Sequence, residues 1–189
     1  MSQPELLKKV ITVLENNGIP YMLTGSVVSS LYGEPRASHD IDFIVAINQK
    51  NISKLIEAFP ENLFYLNKES IKEAIETEGM FNIIDINEGD KVDFWMLTHT
   101  PFDISRFSRK RKEKFLDMYM FVQSPEDAIL SKLKWSKDAG GSSKQFNDAL
   151  RVFEMQVKTL DRAYLKEWAE RLDVLELYTA IRDKSGGGK

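Results

Sequence analysis

The 189-residue sequence contains no cysteine, two histidines and no long apolar run. Without cysteine, a disulfide scaffold, a thiolate nucleophile and a zinc or iron–sulfur site with thiolate ligands are all excluded. Two histidines are too few for a metal site built from several imidazoles. The glycine-rich phosphate loop, the dinucleotide-binding fingerprint and the nucleophile elbow do not occur either. Because no apolar stretch approaches the ~18 residues of a membrane span and the N-terminus lacks a signal-peptide pattern, we expect a soluble cytoplasmic protein.

The remaining composition is that of a globular chain, with 42% hydrophobic residues, 29% charged residues and a net charge of −3. A pI near 5.6 argues against a dedicated nucleic-acid binder. One segment departs from this balance, since residues 106–114 (RFSRKRKEK) carry six basic side chains and one acidic side chain. This segment is either a solvated turn before a strand or a contact for the phosphates of a nucleotide or a nucleic acid.

Hydrophobic periodicity predicts an α+β fold in which a mixed sheet with flanking helices is followed by helices alone. The expected strands are 21–23, 40–45, 81–86, 92–97 and 115–123. The expected helices are 3–17, 27–32, 52–59, 69–77, 125–138, 143–157, 161–171 and 173–183. We therefore expect an α/β core over 1–123, a helical part over 124–184 that packs on the core, and a flexible tail over 185–189.

Two carboxylates stand on one predicted strand. Asp40 and Asp42 are two residues apart, so their side chains point to the same side with Cα atoms about 7 Å apart. The strand is otherwise apolar on both faces, which is typical of a central buried strand. Like charges in such a place repel each other and lose solvation, and a divalent cation such as Mg²⁺ would compensate both effects. Alternatively, Asp40 caps the end of the strand.

Two loops near this pair carry groups that suit phosphate. Gly25 and Ser26 lie between a strand and a helix start, where the backbone can approach a ligand and exposed N–H groups favour an anion. The same two residues also fit a plain strand-to-helix turn with a serine N-cap. Arg36 and Ser38 come just before Asp40, and Arg36 either neutralises a carboxylate or binds a phosphate.

The expected strands 81–86 and 92–97 form a predicted hairpin across a turn that contains Gly89. A third carboxylate, Asp93, lies on the second strand of this hairpin, on the same face as Trp95 and Leu97. If it meets Asp40 and Asp42, the three complete a ligand set for two metal ions. The alternative is a solvent-facing residue on an edge strand.

The segments LTGSVVSSLYGEPRASHDIDFIV and KVDFW together resemble the nucleotidyltransferase superfamily with the DNA polymerase β-type fold. The shared pattern is an apolar strand, Gly-Ser, a short helix, Asp-x-Asp and a third carboxylate on a neighbouring strand. The later segment SPEDAILSKLKWSKDAGGSSKQFNDALRVFEMQ is similar to the helical part of small bacterial nucleotidyltransferase-like proteins, which include the AbiEii-type toxins of toxin–antitoxin systems.

This resemblance implies specific roles. Asp40 and Asp42 would bind Mg²⁺ that bridges the nucleotide phosphates, and Asp93 would complete the second metal site and help to deprotonate the acceptor hydroxyl. Gly25 and Ser26 would contact the β- and γ-phosphates of an NTP.

The resemblance to the AbiEii-type proteins adds two residues from the helical part. Their site includes a lysine and a later aspartate, and the matching positions here are Lys132 and Asp148. Lys132 could instead simply flank the apolar stripe of its helix.

The implied activity is Mg²⁺-dependent transfer of an NMP from an NTP to a hydroxyl of an RNA, a protein or a small molecule, with release of pyrophosphate. A toxin role with an antitoxin partner is compatible with this activity. The alternative is a non-catalytic relative that binds a nucleotide or a partner protein.

Overall fold

The computed structural model describes residues 1–35, 38 and 40–186. Within them, seven strands form one mixed sheet in the order β3-β4-β5-β2-β1-β7-β6. The strands are β1 (Tyr21–Thr24), β2 (Asp40–Val45), β3 (Phe64–Tyr65), β4 (Met80–Asp85), β5 (Lys91–Met96), β6 (Arg111–Phe115) and β7 (Met118–Val122). β2 pairs with β5 in parallel and β1 pairs with β7 in parallel, whereas the other neighbours are antiparallel. The expected mixed sheet with helices is confirmed.

The described helices fall into an early and a late set. The early set is α1 (Gln3–Asn16), α2 (Gly25–Tyr32), α3 (Ile52–Ala58, after a 3-10 turn at Gln49–Asn51), α4 (Lys68–Thr77) and α5 (Pro101–Ser108). The late set is α6 (Pro125–Asp138), α7 (Ser143–Gln156), α8 (Arg162–Arg171) and α9 (Leu175–Gly186). No helix in the described part of the chain is both long and apolar enough to span a bilayer.

The chain divides into two compact units. The sheet unit comprises Met1–Val27 and Ala37–Val122, and the helical unit comprises Val28–Arg36 and Gln123–Lys189. The helical unit includes most of α2, which the sequence pattern does not assign to the late helices. The expected boundary at 123 and the expected packing of the helical part on the core stay predictions. α9 runs through Gly186, two residues into the expected tail, and 187–189 lie outside the described residues.

An aromatic ladder holds the centre of the sheet. Phe94 on β5 stacks on Phe43 of β2 with ring centroids 5.7 Å apart and on Phe81 of β4 at 4.9 Å. These three residues are direct register partners, so their side chains share one face of the sheet. All three are buried. Because side chains alternate along a strand, the neighbouring residues Asp42 and Asp93 belong to the opposite face.

The basic segment differs from the expectation of a turn. Residues 111–115 form the edge strand β6, which pairs with β7 through a tight turn at Leu116 and Asp117, both with positive φ. One expected strand over 115–123 is therefore a hairpin of two. The pattern missed β6 because lysine and arginine have low strand propensity, although charged side chains are common on edge strands. It also missed β3 and α5.

Candidate functional site

Four polar residues lie in one row across the middle of the sheet. Asp42 on β2 is the direct register partner of Thr24 on β1 and of Asp93 on β5, and Asp93 is the partner of Asn82 on β4. Strands in a sheet lie about 4.8 Å apart, so neighbouring members of the row can share a ligand. The structure thus brings Asp42 and Asp93 side by side at the centre of the sheet. The alternative of Asp93 as a solvent-facing residue on an edge strand is wrong, because β5 lies between β2 and β4.

Gly25 is required at its position by the carboxylate of Asp42. Gly25 has φ +68°, a left-handed conformation that side chains other than glycine rarely adopt. A Cβ atom added there would lie 1.9 Å from Asp42 Oδ2 and 2.6 Å from its Cγ. The carboxylate therefore occupies the space beside the Gly25 backbone at the start of α2, where Ser26 follows. Gly25 and Asp42 are therefore close neighbours, whereas the phosphate contacts expected of Gly25 and Ser26 stay predictions.

Asp93 is buried, with 7% of its surface exposed. Its Oδ2 pairs with Lys91 Nζ at 2.9 Å. Its Oδ1 has no hydrogen-bond partner among the residues that the structure describes. A buried polar atom without a partner costs about 1–3 kcal/mol, so this oxygen is poised to accept a ligand.

Lys91 lies between two of the three carboxylates. It is the direct register partner of Asp40 and stands two residues before Asp93 on β5, so all three side chains share one face. Its Nζ is 3.6 Å from Asp40 Oδ1 as well as 2.9 Å from Asp93 Oδ2. The hydrogen bond to Asp93 raises the pKa of Lys91, and the charges of Asp93 and Asp40 add to this effect against partial burial.

The donor set fits a divalent cation that a nucleotide helps to hold. Among the described residues, no three Asp, Glu or His side chains are already gathered as a metal-binding group. Mg²⁺, however, is commonly held by one or two carboxylates together with substrate phosphates and water. Asp42 and Asp93 supply two such carboxylates, and the unpartnered Oδ1 of Asp93 supplies a buried ligand atom. The role of Asp40, Asp42 and Asp93 as a three-residue ligand set stays a prediction.

In the loop before β2, Ser38 is among the described residues and holds the start of the strand. Ser38 Oγ accepts a hydrogen bond from the Asp40 backbone N–H at 3.4 Å, and the Ser38 carbonyl accepts one from Gln3 Nε2 at 2.6 Å. These bonds fix the start of β2 and the backbone of Asp40. Arg36, predicted as a nucleotide contact, lies outside the described residues, as does His39.

Lys132 and Asp148 come together within the helical unit. Lys132 Nζ on α6 lies 3.0 Å from Asp148 Oδ2 and donates a hydrogen bond to Gln145 Oε1 at 2.8 Å, both on α7. Lys132 is buried, with 4% of its surface exposed, and its place in a nucleotide site stays a prediction. A buried ammonium held by two polar side chains links the two helices.

Sequence reasoning missed two residues of these clusters. Lys91 was overlooked, although its spacing of two from Asp93 on a strand places both on one face. Gln145 was overlooked because no pattern in α7 marks it as the partner of Lys132. The first had a readable signal, whereas the second became visible only in the packing of α6 against α7.

No protein-family model and no curated protein matches the sequence. Solved structures do match it. The antibiotic-resistance factor ANT(2″)-Ia superposes with a TM-score of 0.56 at 10% identity, over 98% of this chain and 97% of that chain. An antigenic nucleotidyltransferase-like protein from Paracoccidioides brasiliensis superposes with a TM-score of 0.56 at 14% identity, over 95% and 91%.

A third similar structure is the lincosamide antibiotic adenylyltransferase LnuA with bound lincomycin. It superposes with a TM-score of 0.53 at 12% identity, over 80% of this chain and 96% of that chain. Together these likenesses establish that the chain has the nucleotidyltransferase fold, as the sequence resemblance implied.

Proposed function

We propose that the protein transfers a nucleoside monophosphate from an NTP to a hydroxyl group in a reaction that depends on a divalent cation. The observation that carries the proposal is the juxtaposition of Asp42 and Asp93 beside Gly25, with a buried Asp93 oxygen that lacks a partner in the described part of the chain. The nucleotidyltransferase fold supports the same reaction class.

The candidate site residues of the sheet unit each have a role in this proposal. Asp42 and Asp93 hold the cation, and the backbone at Gly25 and Ser26 binds the triphosphate at the start of α2. Asp40 lies at the exposed rim, where it adds negative charge toward the cation. A divalent cation held there would supply charge neutralisation for the phosphates and polarisation of the α-phosphorus.

The reaction itself is a balanced displacement. The acceptor oxygen forms a bond to the α-phosphorus while the bond from that phosphorus to the bridging oxygen breaks, and pyrophosphate leaves with the electron pair. The acceptor proton passes to the carboxylate of Asp93. Such chemistry needs positioning and charge neutralisation rather than a covalent nucleophile, which suits a chain without cysteine.

A small molecule with free hydroxyl groups is the acceptor class that we propose. One structure with this fold is an antibiotic adenylyltransferase with its antibiotic bound, and another is an antibiotic-resistance factor of matching extent. An RNA acceptor rests on sequence resemblance and on the basic strand β6, whose charge suits an anionic acceptor. A protein acceptor and a toxin role with an antitoxin partner rest on sequence resemblance alone. Two further nucleotide contacts, Arg36 and Ser38, are proposed from their position just before Asp40. The other two, Lys132 and Asp148, are proposed from sequence resemblance.

The first experiment is calorimetric titration with each of the four NTPs, once with Mg²⁺ and once with a chelator. We expect one or more NTPs to bind with Mg²⁺ only, and Asp42→Asn to weaken that binding at least tenfold. Asp117→Asn is the matched control, because the Asp117 side chain is 94% exposed and its positive φ suits asparagine. Failure of all four NTPs to bind the wild-type protein would contradict the proposal.

The second experiment identifies the acceptor with an NTP that is labelled at the α-phosphate. The label is offered with hydroxylated small molecules, with RNA and with protein in separate reactions. Transfer to a small molecule supports the proposal, and transfer to RNA or protein moves the acceptor to that class. Cation-dependent binding without transfer or pyrophosphate release from any mixture would favour the non-catalytic alternative.

A further inference from the structure

The ammonium group of Lys91 lies against two carboxylates of the candidate site. Its Nζ is within 3.6 Å of Asp40 Oδ1 and 2.9 Å of Asp93 Oδ2, so it contacts the two outer carboxylates of the predicted three-residue set. Register fixes this position, since Lys91 is the direct partner of Asp40 and lies on the same face as Asp93. The arrangement is therefore built into the pairing of β2 with β5.

We propose that Lys91 is a built-in cation of the site, so that the protein binds one divalent cation where three carboxylates alone would bind two. The inference rests on the proposed function in one respect, because that function makes the single divalent cation the one that holds the nucleotide. It departs from the two-metal ligand set that the sequence predicts.

In this proposal, one oxygen of Asp93 contacts the Lys91 ammonium and the other is left for the divalent cation. Oδ2 is taken by Lys91, whereas the buried Oδ1 has no hydrogen-bond partner among the described residues. Oδ1 is therefore the atom available to a divalent cation next to Asp42, the register partner of Asp93. A divalent cation between Asp40 and Asp93 would have to displace the ammonium, because both would need the same oxygens at close range.

The charge of the cluster agrees with this division. Three carboxylates and one ammonium leave two negative charges, which one divalent cation balances before any nucleotide binds. Removal of the ammonium leaves three negative charges near one another. Such a cluster attracts divalent cations more strongly and frees Oδ2 of Asp93 and Oδ1 of Asp40 as ligands.

The test is a count of bound Mn²⁺ by electron paramagnetic resonance on the full-length protein, first without any nucleotide. We expect Lys91→Met to bind one more Mn²⁺ than the wild-type protein, or to bind its first Mn²⁺ at least tenfold more tightly. Lys91→Arg keeps the positive charge and should behave like the wild-type protein. Lys72→Met is the matched control, because Lys72 pairs with Glu69 on the exposed face of α4, outside the site.

Equal counts and equal affinities in the wild-type protein and Lys91→Met would overturn the inference, as would two Mn²⁺ ions bound to the wild-type protein. Thermal unfolding of each variant confirms that the count refers to folded protein. If Lys91→Met does not fold, Lys91→Gln takes its place, with the same expectations. Because the count needs no nucleotide, failure of NTP binding would contradict the proposed function and leave this inference standing.

Discussion

In the sheet unit, the buried carboxylate of Asp93 keeps one oxygen without a hydrogen-bond partner within the described residues. In the helical unit, buried carboxylates connect helices instead. Asp127 accepts hydrogen bonds from Ser124 Oγ at 2.6 Å and from the hydroxyl of Tyr164 at 2.7 Å, and Glu126 accepts one from the Asp161 backbone N–H at 3.0 Å.

The contrast separates the candidate site, where a buried oxygen lacks a hydrogen-bond partner among the described residues, from a network of hydrogen bonds that connects helices. Native proteins satisfy nearly all buried polar groups, so an exception in the middle of a sheet indicates a function. Buried charges that are paired across helices indicate a structural role. The same residue type, aspartate, thus occurs in two kinds of surroundings, and the proposed difference in role follows from its neighbours.

The largest expected effect is on the helical unit. Lys132→Met removes the buried ammonium that faces Asp148 and should lower the free energy of unfolding by about 3–5 kcal/mol, because the largely buried carboxylate of Asp148 loses a positive partner. Lys132→Met combined with Asp148→Leu should recover most of this loss, since a well-packed apolar pair replaces a buried ion pair at little cost. Chemical denaturation measures both.

The folded double variant also tests the predicted nucleotide contact. A tenfold or greater loss of NTP affinity in that variant would show that Lys132 and Asp148 serve the nucleotide. Unchanged affinity would assign the pair to helix packing and sharpen the contrast between the two units. A double variant that remains as unstable as Lys132→Met would contradict the structural role.

The second effect concerns the approach of Gly25 to Asp42. Gly25→Ala should cost about 1–2 kcal/mol of stability through left-handed strain, and it should also displace the Asp42 carboxylate and abolish cation-dependent NTP binding. Gly18→Ala is the matched control, because Gly18 has φ +60° and nothing within 4 Å of an added Cβ. Equal NTP affinity in the two variants would contradict the proposed role of Gly25.

The third effect is a gain in stability. Asp93→Asn removes a buried negative charge, one oxygen of which has no hydrogen-bond partner among the described residues. The Lys91 ammonium still has the Asp40 carboxylate and solvent as partners. We expect stability without divalent cations to rise by about 1 kcal/mol and NTP binding to be lost, as at many functional sites. A loss of stability comparable to that of Lys132→Met would show that Asp93 stabilises the fold, as the carboxylates of the helical unit do. The difference between the two units would then disappear.

The smallest effect is on the stability at alkaline pH. It concerns one buried tyrosine in each unit, Tyr21 and Tyr178. Burial, with a hydrogen bond donated to Glu15, raises the pKa of Tyr21, and burial raises the pKa of Tyr178 against the opposing charges of Arg162 and Arg182. The unfolded chain then loses these protons first, near pH 10. Stability is therefore intact below about pH 10 and falls as pH rises further, by up to about 1.4 kcal/mol per pH unit for each tyrosine.

The measurement is the slope of unfolding free energy against pH between 9 and 11 in phenylalanine variants. Tyr21→Phe should flatten the slope more than Tyr178→Phe. At Tyr21, burial and the hydrogen bond and charge of Glu15 raise the pKa against a hydrogen bond from the Phe121 backbone N–H. At Tyr178, burial alone raises the pKa, and the charges of Arg162 and Arg182 oppose it. Tyr65→Phe at an exposed position serves as the control and should leave the slope unchanged. Identical slopes in all three variants would contradict the assigned causes.

Much of the fold was predictable because its elements carry strong local patterns. The bounds of β2 and α6 agree with the expected 40–45 and 125–138, since an apolar run marks the first and Ser124-Pro125 marks the start of the second. Where local propensity opposed the final structure, prediction was wrong. The basic residues of β6 became a strand because β7 offered an edge to pair with.

For the candidate site, the residue types were readable but their arrangement was not. The spacing of Asp40 and Asp42 predicted a shared face, and the pairing of β2 with β5 placed Asp93 beside Asp42. The spacing could not predict that Lys91 would lie between two carboxylates. That contact depends on strand register, which links residues more than fifty positions apart.

The sequence by itself determined the helix and strand periods, the caps, the absence of thiol chemistry and the carboxylate pair, because these depend on neighbours along the chain. Only the tertiary structure decided that Asp93 lies beside Asp42, which oxygen of Asp93 lacks a hydrogen-bond partner among the described residues, and that Lys132 faces Gln145 and Asp148. The physical reason is that burial and register arise from pairing between distant segments. Local propensity fixes where an element begins, whereas packing fixes what its side chains meet.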